Sequence, residues 1–301
     1  MIKEIYRKML KYIDKDAIYL SEPMSKHTSF KVGGIADIFI CATTEEQVKD
    51  VLKLVKQENI PLFILGNGSN LIVKDGGIRG IVLKIALEDC KIIQNEIHAS
   101  SGLLLSKLSN IALDNELTGL EFASGIPGTL GGAIKMNAGA YSGEMKDIVA
   151  STRYINLEGN VFEILNNDHK FGYRDSIFKN KNYIILSSII KLQKGEKESI
   201  KNRITELTKS RTSKQPLSYP SAGSVFKRPE GDFAARLIED SGLKGFSIGG
   251  AQVSDLHAGF IINKGNATTQ DILQLIEYIK NAVYEKSKVK LETEVIVVGE
   301  D

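Results

Sequence analysis

The chain of 301 residues reads as an α+β protein in two parts. Three observations predict this. Strand and helix patterns come in mixed order, with several hairpins implied. Residues 44–58 and 268–283 repeat apolar side chains at helical spacing. A charged stretch at residues 191–210 then divides a larger part from a smaller one. The parts are placed at residues 1–195, with subdomains of about 1–79 and 80–195, and at residues 196–301.

The elements follow in order. Residues 1–13 form an amphipathic helix with charges throughout, unlike the apolar centre of a signal peptide. Its basic face reads as solvated. A strand near 36–40 precedes a helix at 44–58. Thr43 or Thr44 caps that helix, Glu45 and Glu46 suit its positive end, and Val48, Val51, Leu52 and Val55 line one face. After Pro61 a strand at 62–65 completes a βαβ-like unit. Strands near 81–85 and 97–100, a helix at 103–115, and strands near 151–157 and 183–191 follow. Ile200, Ile204 and Leu207 give the charged stretch a helical stripe. Asp232 is placed to cap a helix at 233–241 that Gly242 stops. Thr268 and Asp271 form a capping box for a helix whose core face is Ile272, Leu275, Ile276, Ile279 and Val283. A strand at 289–299 closes the chain. Val289, Leu291, Thr293, Val295 and Val297 share one face of it; Lys290, Glu292, Glu294, Ile296 and Val298 share the other.

The composition excludes several classes. A formal charge of +2 offers no field for a polyanion. The lysines are scattered, without the basic stripe and aromatics of a nucleic-acid binder. His27, His98, His169 and His257 lie far apart, so no dedicated metal site is expected. Cys41 and Cys90 suggest a reduced, cytoplasmic protein. No apolar run approaches membrane-spanning length.

Three segments carry candidate chemistry. In Tyr219-Pro-Ser-Ala-Gly-Ser-Val-Phe-Lys-Arg-Pro229, Gly223 and the flanking prolines make a stiff loop that aims the Ser224 hydroxyl. An ordinary surface turn remains the alternative. In Gly66-Asn-Gly-Ser-Asn70, small residues after a strand leave N–H groups for phosphate oxygens, or form a tight turn. Leu71 stands where a Rossmann fingerprint needs glycine, and strand follows instead of helix. The third segment holds Gly125, Gly128, Gly131, Gly132 and Gly139 around Pro127. It has more glycines than a turn requires, which favours close approach to a ligand.

With Thr28-Ser-Phe-Lys-Val-Gly-Gly34, Asn137-Ala-Gly139, Gly172-Tyr-Arg-Asp-Ser176, His257-Ala-Gly-Phe260 and Leu291-Glu-Thr-Glu-Val295, these segments span nearly the whole chain. In that order the chain resembles the bacterial UDP-N-acetylenolpyruvoylglucosamine reductase family, in its shorter branch. The resemblance implies an FAD-binding region of the vanillyl-alcohol-oxidase type followed by a substrate-binding domain. It implies non-covalent FAD, NADPH as electron donor, and an enolpyruvyl nucleotide sugar of cell-wall synthesis as substrate. Ser224 then matches the proton donor, while Arg174 and Glu294 match the groups that stabilise the substrate carboxylate. FAD would be held by Gly66, Asn67, Gly68, Ser69, Asn70, Gly125, Ile126, Pro127, Gly128, Thr129, Gly131, Gly132, Asn137 and Gly139. Lys214, Tyr173 and Lys227 would meet the substrate. From local sequence alone a salt bridge to Asp175 is the plainer reading of Arg174; the motif match favours the catalytic role. A monomer is expected. Another flavin oxidase on this fold, or a non-catalytic nucleotide-sugar binder, are the competing classes.

Overall fold

The computed structural model describes residues 2–301, which divide into two compact units. The first comprises residues 2–20, 38–67 and 80–210, and the second residues 21–37, 68–79 and 211–301. The second unit is thus discontinuous, drawing two early segments together with the last third of the chain.

The first unit holds most of a four-stranded sheet, a whole five-stranded sheet and two short two-stranded ribbons. The four-stranded sheet orders its strands Ile18–Pro23, Ile35–Ala42, Ile78–Ile85 and Leu62–Leu65. Leu62–Leu65 runs parallel to Ile78–Ile85, with Leu62 opposite Ile81. This is the geometry a βαβ connection produces. The connecting helix Glu45–Glu58 is closed at its start by a capping box between Thr44 and Gln47. It buries Val48, Val51, Leu52 and Leu54, while Val55 is only partly buried. The second sheet is antiparallel, in the order Val161–Leu165, Val149–Ile155, Ile184–Lys191, Glu96–Ser100 and Cys90–Ile93. Helices Leu105–Asp114 and Leu130–Lys135 contribute Leu105, Leu108, Leu130 and Ile134 to the same core.

The second unit is built on helix Thr269–Ser287 and the three-stranded sheet of Ser247–Ile248, Ala251–Val253 and Ile261–Asn263. Thr268 and Asp271 form the expected capping box. Ile272, Leu275, Ile276, Ile279 and Val283 are all buried, each contributing roughly 1.5–3 kcal/mol relative to exposure. Phe30 and Ile72, from the early segments, complete this core.

Two local expectations are corrected. Phe233, not Asp232, occupies the cap position of helix Ala234–Asp240. Asp232 instead accepts the Phe233 N–H at 2.7 Å and pairs with Arg236, which draws its carboxylate out of the cap. Gly242 ends that helix at φ +74°, as expected. The final strand is also much shorter, Ile296–Val298, and pairs in parallel with Leu71–Val73. Residues just before it turn to a different partner: Lys227 N–H donates to Glu292 O and Glu294 N–H to Val225 O. The charged stretch becomes the helix Lys197–Lys214, with Ile200 and Leu207 buried.

Candidate active site

Gly66 and Asn67, the start of one glycine segment, meet the other glycine segment within the first unit. The strand Leu62–Leu65 ends at Gly66, and the Asn67 side chain donates to Pro127 O at 2.6 Å. A Cβ on Gly66 would come within 2.9 Å of Thr129 Oγ1. Thr129 caps helix Leu130–Lys135 by accepting the Gly132 N–H. Some of the glycine content is therefore packing. A Cβ on Gly131 would lie 2.9 Å from Ser101 Cβ, and one on Gly139 2.7 Å from Glu144 Cγ.

Ser101 is 3 % exposed, and its Oγ has no hydrogen-bond partner among the described residues. A buried hydroxyl without a partner costs roughly 1–3 kcal/mol, so its place beside Gly131 points to a polar group from outside the chain. Uncharged glycine-rich backbone with a waiting hydroxyl suits the pyrophosphate and ribityl oxygens of a flavin dinucleotide. The residues present fit FAD. Ser101 carries no motif, and only burial without a partner reveals it.

Arg174 sits at the tip of a tight turn closed by Gly172 N–H to Asp175 O (3.0 Å) and Asp175 N–H to Gly172 O (3.3 Å). Its φ is +53°, where a side chain costs energy and a glycine would be expected. Backbone strain of this kind concentrates at functional positions. The guanidinium donates to Gly139 O at 3.4 Å and lies 5.1 Å from the Tyr173 ring. Tyr173 is half exposed. Asp175 lies 3.8 Å from Lys179 Nζ, so that carboxylate has a cation of its own. Asn137 is almost fully buried, and its amide is engaged by Gly172 O, Glu144 and Lys146 N–H.

The second unit holds Ser224 and Glu294. Gly223, at φ +77°, turns the chain immediately before Ser224. Residues 224–227 then lie between two partners. Ser224 is bridged to Phe260 and Phe226 to Thr293. Glu294 N–H donates to Val225 O at 2.8 Å, and Asn70 Nδ2 donates to Glu294 O at 3.1 Å. Glu294 is half-buried, and its backbone is held on both sides one residue from Ser224. The Ser224 hydroxyl donates to Phe226 O at 3.2 Å.

His257 belongs to this patch, although no role follows from the sequence. A Cβ on Gly259 would meet the His257 ring at 3.0 Å and Ser224 Oγ at 3.3 Å. His257 Nδ1 accepts the Gly259 N–H at 3.1 Å, which puts the proton of the neutral ring on Nε2. Burial pushes its pKa below the ordinary histidine value. Gly68, at φ +63°, approaches His27 O so closely that a Cβ would lie 2.0 Å from it. Lys214 ends helix Lys197–Lys214, exposed. Lys227 pairs with Glu292 at 2.7 Å on the surface. Among the described residues no helix is long and apolar enough to cross a membrane.

Comparison with known proteins gives these segments a common setting. A family model described as FAD binding domain matches residues 36–165. A model described as UDP-N-acetylenolpyruvoylglucosamine reductase, C-terminal domain, matches residues 215–298, the stretch that carries Ser224 and Glu294. A UDP-N-acetylenolpyruvoylglucosamine reductase of Clostridioides difficile is 53% identical over 301 residues, covering 99% of both chains. One of Clostridium botulinum is 54% identical over 290 residues, covering 96% of this chain and 95% of the relative. The crystal structure of the Thermus caldophilus reductase aligns with a TM-score of 0.80 at 35% identity, covering 93% of this chain and 97% of that one.

Proposed function

The chain belongs to the UDP-N-acetylenolpyruvoylglucosamine reductase family, and from that premise we propose that it is an FAD-dependent, NADPH-consuming enzyme of peptidoglycan precursor synthesis. Its substrate is UDP-N-acetylglucosamine enolpyruvate and its product UDP-N-acetylmuramate. Residues 1–195 serve the cofactor, residues 196–301 the substrate, and the enzyme works in the cytoplasm.

FAD, when bound, would supply the hydride chemistry between NADPH and the enolpyruvyl ether. The two glycine segments and Ser101 would hold it. The protein's own residues manage the charge and the proton. Hydride addition leaves excess negative charge on the substrate carboxylate. Arg174 is always cationic and shaped for a carboxylate. Glu294, in its protonated form, donates a second hydrogen bond to the same group. Ser224 Oγ–H gives its proton to the alpha carbon. A serine hydroxyl is a weak acid, but a carbanionic carbon is a strong enough base to take its proton. Lys214, with Tyr173 and Lys227, meets the nucleotide and sugar.

The observation that supports this reading is the backbone pairing of Glu294 with Val225, which sets residue 294 beside the loop that carries Ser224. An anaerobic titration tests it. NADPH should bleach the visible flavin absorbance, and the enolpyruvyl nucleotide sugar should restore it. Restoration by a simple sugar or hydroxy acid instead, or no response to NADPH, would sink the proposal.

A further inference from the structure

Three alternate residues of the glycine-rich segment reach the turn that carries Arg174. Lys135 O accepts the Ser176 hydroxyl at 2.8 Å. Asn137 Nδ2 donates to Gly172 O at 2.9 Å. Gly139 O accepts the Arg174 guanidinium at 3.4 Å. The contacts fall on the two ends of the turn and on its tip.

Asn137 is the central member, and its surroundings leave it little freedom. It is 1% exposed, with its backbone at φ +42°. Its second amide hydrogen goes to Glu144 Oε2 at 3.0 Å, and its carbonyl oxygen accepts the Lys146 N–H at 2.9 Å. Glu144 is itself held ionised: Lys146, then the Asn137 amide, then the charge of Arg174 keep its carboxyl below the usual range. The side chain therefore ties the short ribbon of Gly139–Ala140 and Gly143–Glu144 to the closing carbonyl of the Arg174 turn.

We propose that Asn137 is a positioning residue for Arg174, holding the strained turn in register with the segment that bears the cofactor. The proposal rests on the role given to Arg174 above. A side chain at left-handed φ relaxes elsewhere unless its surroundings fix it. Gly172 O already closes the turn by accepting the Asp175 N–H, and the Asn137 amide on the same oxygen fixes where that closed turn stands.

The test uses the FAD-loaded enzyme with Asn137→Gly, which tolerates the backbone and removes the amide, and Asn137→Asp, which keeps the shape and removes the donors. Because Asn137 also stands among the residues expected to hold FAD, both variants are assayed with excess FAD and both half-reactions are scored per bound flavin; reduction by NADPH should then slow far less than reoxidation. Flavin reoxidation by substrate should slow roughly 10- to 100-fold, the scale of a misplaced catalytic group. The loss should disappear in the background of Arg174→Ala, because the two residues act as one unit. Hydrogen exchange over residues 172–176 should quicken in both variants. Equal slowing of both half-reactions, additive losses with Arg174→Ala, unchanged exchange, or failure of both variants to hold FAD even in excess would each overturn the proposal. Failure of the parent reading looks different: Arg174→Ala alone would then reoxidise normally, which removes the positioning role as well.

Discussion

Replacing Arg174 by glycine and, separately, by alanine separates what its backbone costs from what its side chain does. At φ +53° a residue with a Cβ carries a penalty of about 1–2 kcal/mol, which glycine escapes. Glycine also gives the unfolded chain more freedom, which returns about 0.4–1 kcal/mol of that gain. Arg174→Gly should therefore be more stable than Arg174→Ala by about 0.8 kcal/mol at the middle of these ranges. Against the wild type, both lose the long hydrogen bond to Gly139 O and the contact with the Tyr173 ring. Each is worth about 0.5 kcal/mol at such a site. The glycine variant should thus unfold closer to the parent than the alanine variant does. Its reoxidation by substrate should still fall by about 10²–10³-fold, as for loss of one preorganised electrostatic contact. Denaturant midpoints at fixed FAD measure the first quantity, and anaerobic stopped-flow absorbance measures the second. An alanine variant as stable as the glycine one would refute the strain argument. Wild-type reoxidation in both would refute the assignment of the side chain.

Ser224→Ala should bind FAD and accept reduction by NADPH, yet lose about 10²–10⁴-fold in turnover, with Ser224→Cys recovering part; full turnover in the alanine variant excludes the hydroxyl as donor. Gly259→Ala should push on the His257 ring and Ser224 Oγ, costing about 1–3 kcal/mol in a melt and slowing only the substrate half-reaction. A silent alanine there would show the patch to be loosely packed. Burial lowers the pKa of both His169 and His257, so the unfolded chain binds their protons first. Their contribution is intact above the ordinary histidine value of about 6.5 and is lost below it, by at most about 1.4 kcal/mol per pH unit for each group. Denaturant titrations at mildly acid and neutral pH check that sign. Stripping FAD should lower the melting temperature, and FAD at a hundred times its dissociation constant should restore about 2.7 kcal/mol.

Much of the fold is legible because local signals and packing agree. Thr43 or Thr44 and the pair of Thr268 with Asp271 mark helix starts in the sequence, the structure selecting Thr44, and the apolar stripe of the helix after Thr268 is buried as its spacing implies. The failures come where a distant partner outbids a local pattern. Residues 289–295 alternate like a strand, but only Ile296–Val298 forms one, because Glu292 and Glu294 pair with residues 225–227. Asp232 has the composition of a cap but is taken by Arg236. In the site, Ser224, Arg174 and Glu294 stand out through motifs. Ser101 does not, since only a missing partner marks it, and His257, although it opens a matching motif, is tied to Ser224 only by the close approach of both to Gly259. The left-handed backbone of Arg174 is equally invisible, because nothing in Gly-Tyr-Arg-Asp announces a glycine-like angle.

The parallel pairing of Leu71–Val73 with Ile296–Val298 has a consequence for biosynthesis. A ribosome releases the chain from its start, so Ile72 and Val73, both fully buried in the finished protein, emerge long before their partner strand. Phe30 waits in the same way for helix Thr269–Ser287. Pairings between such distant segments form slowly, and apolar strands left open in the meantime are prone to join other chains. The nascent protein should therefore lean on chaperones until its last residues appear. A chain ending before Ile296 should aggregate, even though every residue of its first unit is present.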